Sequence, residues 1–172
     1  MVEPLAEYLE ERVNLVGMRL YLRPPGAIPE SQFIGTCYRC GNCVSACPVD
    51  AIQPLKILGD SMAGTPVIDP NVQACVACEE VACTKVCPSG ALQKLSDPRQ
   101  IQMGLARVDH KICVRSSGEE CTLCVDKCPI GLDALRIDDA GQVEVLEPGC
   151  TGCGVCQMVC PTKPKSIVVE LI

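Results

Sequence analysis

Residues 37–48 read Cys37-Tyr38-Arg39-Cys40-Gly41-Asn42-Cys43-Val44-Ser45-Ala46-Cys47-Pro48. Three cysteines are separated by two residues each, a fourth follows after three more, and proline closes the run. The arrangement returns three times. Cys75, Cys78, Cys83 and Cys87 precede Pro88; Cys113, Cys121, Cys124 and Cys128 precede Pro129; Cys150, Cys153, Cys156 and Cys160 precede Pro161. These groups use all 16 cysteines of the 172-residue chain. The segments that follow repeat too. Pro48-Val49-Asp50-Ala51-Ile52 parallels Pro88-Ser89-Gly90-Ala91-Leu92, Pro129 leads to Ala134-Leu135, and Pro161 leads to Ser166-Ile167. Each unit reads as a loop, a short helical turn, a Cys-Pro stop and a short strand. Proline ends the turn because it lacks an N–H and clashes with the turn before it.

A cubane cluster takes one thiolate per iron. C-x2-C-x2-C wraps three thiolates round one cube, and the fourth cysteine, three residues on and before proline, ligates the other cluster of a pair. Groups one and four have this spacing without deviation. Group two widens its second gap and group three its first, which lengthens a loop without changing the ligand count. The reading is four [4Fe–4S] clusters, with all sixteen cysteines as iron ligands. Structural zinc pairs C-x2-C units across a longer loop, and His110 is the only histidine. A disulfide framework also uses an even cysteine count, but tight triplets suit it poorly.

Composition points the same way. The chain has three tyrosines, one phenylalanine and no tryptophan, so the residues that usually dominate core burial are scarce. Domains short of apolar volume need metal or covalent staples. The formal charge is −6, from 15 basic and 21 acidic residues. No basic run marks a nucleic-acid binder, and cluster thiolates make the loaded protein more acidic still, which favours partners with a basic docking patch. No apolar run approaches the roughly 20 residues of a membrane span. Met1–Gly17 is acidic and lacks a basic-then-apolar export pattern. The expected location is cytoplasmic, with membrane association through a partner; the alternative is periplasmic, with an export signal removed.

Strands are expected over 51–58, 105–108, 134–138, 143–146 and 166–172, with a hairpin turn at Asp138-Asp139-Ala140-Gly141. Residues 59–64 and 96–100 read as connecting loops. Val2, Leu5, Ala6, Leu9, Val13 and Val16 recur at helical spacing, giving a helix that packs on its own domain or docks a partner. Tyr38 and Arg39, between two ligands, are expected to shield and tune a cluster. Gly41, Gly152 and Gly154 sit where backbone must come close to a cluster. His110 reads as a loop histidine, and Lys163 and Lys165 as solvated lysines.

The chain also resembles the NapG/MauM ferredoxin-type family, encoded with periplasmic nitrate reductase and methylamine dehydrogenase. The likeness runs over roughly residues 22–172. Leu22-Arg23-Pro24-Pro25-Gly26-Ala27, Ala63-Gly64-Thr65-Pro66, Cys83-Thr84-Lys85-Val86-Cys87-Pro88-Ser89-Gly90-Ala91-Leu92, Met103-Gly104-Leu105-Ala106 and Cys150-Thr151-Gly152-Cys153-Gly154 carry it, with the first and the widened third groups. It implies an electron-transfer subunit between a quinol-oxidising membrane partner and a terminal enzyme. Family members typically carry a twin-arginine export signal, and none is visible here.

A looser resemblance, to four-cluster subunits of molybdenum oxidoreductases, implies nested pairing. Cys37, Cys40 and Cys43 would share a cluster with Cys160, and Cys150, Cys153 and Cys156 with Cys47. Cys75, Cys78 and Cys83 would take Cys128, and Cys113, Cys121 and Cys124 would take Cys87. Sequential pairing is the rival. The expected fold is therefore α+β: two ferredoxin-like dicluster modules, one nested in the other, with little long regular structure. The parts are a helical extension (1–33), an outer module (34–62 with 140–172) and an inner module (63–139). The expected function is a polyferredoxin relaying single electrons between redox subunits of an oxidoreductase complex, with no catalytic site of its own. The alternative is an assembly or structural subunit whose clusters serve stability.

Overall fold

The computed structural model describes residues 21–57 and 61–172. The helix expected over the first residues lies outside them. The fold is a small α and β mixture of short pieces. Its helices are α1 (Glu30–Thr36), α2 (Asn42–Ser45), α3 (Ala82–Lys85), α4 (Leu123–Asp126) and α5 (Val155–Val159). Helices α2 to α5 each hold the third cysteine of a group: Cys43, Cys83, Cys124 and Cys156. Each turn stops just before its Cys-Pro, as the proline requires.

Six strands form three two-stranded antiparallel sheets among the described residues. Strand β1 (Ile52–Pro54) pairs with β2 (Pro66–Ile68), β3 (Leu105–Val108) with β6 (Ile167–Glu170), and β4 (Leu135–Ile137) with β5 (Val143–Val145). The β4–β5 turn forms at Asp138–Gly141, where the Gly141 N–H donates to the Asp138 carbonyl at 2.9 Å. Strand β3 matches its expected bounds, and β4 and β5 fall a residue inside theirs. Strand β1 is shorter, though Leu55 still exchanges hydrogen bonds with Thr65 and Gly64 at 2.8 Å each. Strand β2 is absent from the sequence reading: Pro66 sits at its start, a position an edge strand tolerates. Residues 98–100, read as loop, form a 3-10 turn capped by the Asp97 carboxylate, which accepts from the Arg99 N–H at 2.7 Å.

One pairing crosses the expected division into modules: it put 52–54 in an outer module and 66–68 in an inner one, and β1 and β2 are hydrogen-bonded partners. Helix α2 packs on α3, and α4 packs on α5. Buried side chains fall into two clusters to match. Phe33, Ile52, Ile68, Leu92 and Ile101 gather with Cys75 and Cys83. Ala106, Leu135, Val143 and Ile167 gather with Cys113, Cys156 and Cys160. The α5 segment joins the two halves: Cys75 N–H donates to the Cys153 carbonyl at 3.1 Å, and Met103 N–H to Thr151 at 3.1 Å. Gly152 permits that seam. Its φ is +67°, and a Cβ there would strike the Gly104 backbone. Buried Gln157 of α5 holds the seam to β6 by accepting from the Val169 N–H at 2.9 Å.

The segment before α1 is pinned by Arg23, only 7 % exposed. Its guanidinium donates to Glu30 at 2.8 Å and 2.5 Å, to Thr65 Oγ1 at 2.8 Å and to the Pro66 carbonyl at 2.9 Å. It also lies 4.7 Å from the Phe33 ring centre. Removing one partner of a buried, hydrogen-bonded pair strands the other charge. Glu30→Ala should lower holoprotein stability by about 3 kcal/mol. Arg107→Ala, which breaks exposed pairs to Glu147 and Glu170, should cost less than about 1 kcal/mol. Thermal unfolding of the two variants side by side checks the order.

Candidate metal centres

The described structure brings the cysteines together in a definite pattern. One cavity is lined by Cys37, Cys40 and Cys43 of group one and by Cys87 of group two. A second is lined by Cys75, Cys78 and Cys83 of group two and by Cys47 of group one. A third is lined by Cys150, Cys153 and Cys156 of group four and by Cys128 of group three. Cys113, Cys121, Cys124 and Cys160 remain, and Cys113, Cys124 and Cys160 lie in one buried cluster. In these three cavities Cys47, Cys87 and Cys128 each stand with three cysteines of the adjacent group, whereas nesting would place them with others.

Local backbone explains how the loops wrap. The second residue after the first cysteine is left-handed in groups one, two and four: Arg39 at φ +53°, Ala77 at +46° and Gly152 at +67°. This turns the N–H back onto the preceding sulfur. Arg39 N–H reaches Cys37 Sγ at 3.5 Å, and Ala77 N–H reaches Cys75 Sγ at 3.4 Å. After the Cys-Pro stops, Ala51 N–H donates to Cys47 Sγ at 3.3 Å and Leu92 N–H to Cys87 Sγ at 3.4 Å. Such donors favour a charged sulfur. The left-handed conformation of non-glycine residues, Arg39, Asp50, Ala77 and Val81, is not marked in the sequence.

The sites differ in exposure. The first cavity has a volume of about 320 Å³, against about 20 Å³ for each of the other two. Cys40 is exposed, while Cys75, Cys83, Cys153 and Cys156 are buried. Tyr38 lines the first cavity but is 71 % exposed. Arg39 straps the loop beyond it, donating to the Ala63 carbonyl at 3.0 Å and the Ser61 carbonyl at 2.7 Å. Gly154 is needed by its protein surroundings: φ is +87°, and a Cβ would meet Pro70 at 2.7 Å. A Cβ on Gly41 would meet nothing within 4 Å. His110 is exposed in a turn. Lys163 is exposed, but Lys165 is not a free surface lysine: it donates to the Met158 and Cys160 carbonyls at 3.1 Å and 2.5 Å.

Burial and neighbouring thiols shape the acidities of the metal-free cavities. Burial pushes the Cys75 and Cys83 thiols up to about 12 each, with adjacent cysteines adding to it. Burial, and then Cys37, pushes Cys43 up to about 11; burial, and then Cys121, does the same for Cys124. Cys160 goes the other way. Burial raises it, but hydrogen bonds from Ser166 and Thr162 together outweigh burial and bring it down to about 7. Most of these cavities thus hold protons that a metal must displace.

The donor sets fit an iron–sulfur cube. All sixteen cysteines are unpaired thiols, and the three cavities each gather four of them. Among the described residues, no three His, Cys, Asp or Glu side chains converge tightly enough for one metal ion. Tetrahedral zinc with bonds of about 2.3 Å would need that convergence, whereas a cube spreads its ligands.

Comparisons with known proteins agree with this geometry. A family model described as a 4Fe-4S dicluster domain matches residues 36–91, which hold groups one and two. A 4Fe-4S binding domain matches residues 148–163, which hold group four. The site and fold thus define a ferredoxin-type iron–sulfur electron carrier. Its relatives are more particular. The ferredoxin-type protein NapG of Escherichia coli is 39 % identical over 172 residues, covering 93 % of this chain and 74 % of that protein. The methylamine utilization ferredoxin-type protein MauM of Paracoccus denitrificans is 37 % identical over 148 residues, covering 81 % and 66 %. The chain belongs to the NapG/MauM ferredoxin-type family. The chain spans about two thirds to three quarters of the length of these relatives. No helix among the described residues is long and apolar enough to cross a membrane.

The raised acidities carry a pH sign. A thiol raised in the folded state stabilises the fold fully below its unfolded value, and that stability is lost as pH rises through the folded value. With an ordinary value of 9.0 and folded values of about 12 for Cys75 and Cys83, the metal-free protein should begin to unfold above about pH 9. Circular dichroism of anaerobic, chelator-treated protein checks this; a metal-free fold that keeps its stability to pH 12 would refute the assignment. Separately, Gly152→Ala, whose Cβ would strike the Gly104 backbone, should cost the loaded protein more iron than Gly41→Ala, which is strained by its φ of +79° alone.

Proposed function

We propose that this protein is a polyferredoxin that relays single electrons through four [4Fe–4S] clusters, each held by three cysteines of one group and one of its sequence neighbour. The observation that carries this reading is the lining of the three cavities, where the fourth ligand always comes from the adjacent group. By elimination, the site of group three takes Cys160. When bound, such a cluster supplies one-electron chemistry without a proton.

The chain's own residues do the rest. The backbone N–H groups on Cys37, Cys47, Cys75 and Cys87 stabilise charge on the ligating sulfurs. Ile52, Ile68, Val81 and Ile101 line the second cavity and keep water from it. The main-chain contact between Cys75 and Cys153 sets the sites of groups two and four beside each other. The spatial order is then one, two, four, three. Groups one and three form the ends, and the buried sites lie between. The most open site, that of group one, is the natural port for a partner. Fitting partners are redox protein subunits with a basic docking face, given the acidic chain; a quinol-oxidising membrane protein fits as donor and a soluble oxidoreductase as acceptor. The sixteen cysteines are the iron ligands, and no residue of the chain serves as a catalyst.

Anaerobic reconstitution followed by iron and acid-labile sulfide analysis tests the count, which should approach about sixteen irons per chain. Cys47→Ala separates the pairings. It should damage the site of Cys75, Cys78 and Cys83 and leave that of Cys150, Cys153 and Cys156 intact, read by Mössbauer intensity together with a Cys78→Ala control. If Cys47→Ala and Cys153→Ala remove the same cluster instead, sequential pairing is wrong.

A further inference from the structure

The tails behind the four Cys-Pro stops differ in one respect. Two residues after the fourth cysteine stand Val49, Ser89, Ile130 and Thr162. The hydroxyls therefore follow Cys87 and Cys160, which serve the two end sites. Apolar side chains follow Cys47 and Cys128, which serve the interior ones.

The Cys160 tail goes further. Thr162 Oγ1 and Ser166 Oγ each lie 3.2 Å from Cys160 Sγ. Thr162 Oγ1 already accepts from the Ser166 N–H at 2.8 Å, so its own hydrogen is free to point at the sulfur. Ser166 is 4 % exposed. A metal-bound cysteine is a thiolate without a proton, so both hydroxyls must be the donors there. The Lys165 ammonium meets the Cys160 carbonyl at 2.5 Å and brings a positive charge to the same residue. No other cysteine in the described residues has two hydroxyls at hydrogen-bond distance. Two others have one hydroxyl each: Cys87, where Ser89 Oγ stands at 3.6 Å, and Cys153, which Thr151 serves.

One-electron reduction of a [4Fe–4S] cluster adds one negative charge, spread in part onto its sulfurs, and moves no proton. Hydrogen-bond donors and a nearby cation stabilise the reduced form more than the oxidised form, which raises the potential. Burial of the donors strengthens the effect. Resting on the four-cluster reading above, we propose that Thr162, Ser166 and Lys165 make the site of Cys113, Cys121, Cys124 and Cys160 the highest-potential of the four. An electron delivered by a one-electron donor at the open group-one end then comes to rest at the opposite end.

Redox titration of the loaded protein with dithionite and mediator dyes, followed by electron paramagnetic resonance, tests this. Ser166→Ala and Thr162→Val should each shift the highest of the reduction waves downward and leave the others in place. The expected shift is up to tenfold in the reduction equilibrium, about 59 mV for one electron. Thr162→Ser, which keeps the hydroxyl, should restore the wild-type value. If a hydroxyl variant loses iron, Lys165→Met supplies the same reading, since it drops the charge and keeps the stem. A highest wave that stays put in iron-replete variants, or a shift in any other wave, overturns the proposal. The four-cluster reading fails separately, if the wild-type protein holds fewer than four clusters by iron and sulfide.

Discussion

In each of three cavities, the fourth cysteine of one group meets three cysteines of the adjacent group. The short elements around them are built on that meeting. A Cys-Pro stop ends each short helix and throws the last thiol forward onto a packed neighbour. Four-residue helices and three-residue strands are too short to stand alone. Two groups must come together to complete two sites, and doing so closes the chain around them. Three small sheets and a pair of helix contacts then tie a fold whose apolar core is split into two modest clusters. With one phenylalanine and no tryptophan, the chain has little else with which to fill its interior. The Arg23–Glu30 pair ties the segment before α1 to Thr65 and Pro66.

The groups also differ in their surroundings. Cys40 and Tyr38 of the first are exposed, while Cys75, Cys83, Cys153 and Cys156 are buried beside the Cys75–Cys153 seam. Burial raises the Cys75, Cys83, Cys153 and Cys156 thiols. Cys160 instead has two hydroxyls at its sulfur. Four nearly identical sequence units are thereby made distinguishable.

Much of this was legible in the residues, and the limits have physical causes. The four groups, the Cys-Pro stops and the strands at 105–108, 135–137 and 143–145 follow from local pattern alone. The sixteen candidate ligands are read the same way, because a thiolate site is announced by its spacing. What local pattern cannot give is the partner of each group. Matched spacing in groups one and four describes two loops of the same shape and says nothing about which loops touch. Strand β2 hid behind Pro66, and the buried role of Lys165 behind the usual fate of a lysine. The left-handed turns at Arg39 and Ala77 carry no glycine to mark them. Ser166 is six residues from the sulfur it serves and becomes visible only once the tail folds back.

Iron-edge anomalous diffraction from crystals of the loaded protein is the most direct test of the central claim. Four separate cubes should appear, with Cys47 Sγ on the cube of Cys75, Cys78 and Cys83, and Cys87 Sγ on that of Cys37, Cys40 and Cys43. Cys47 on the cube of Cys150, Cys153 and Cys156 would contradict the account.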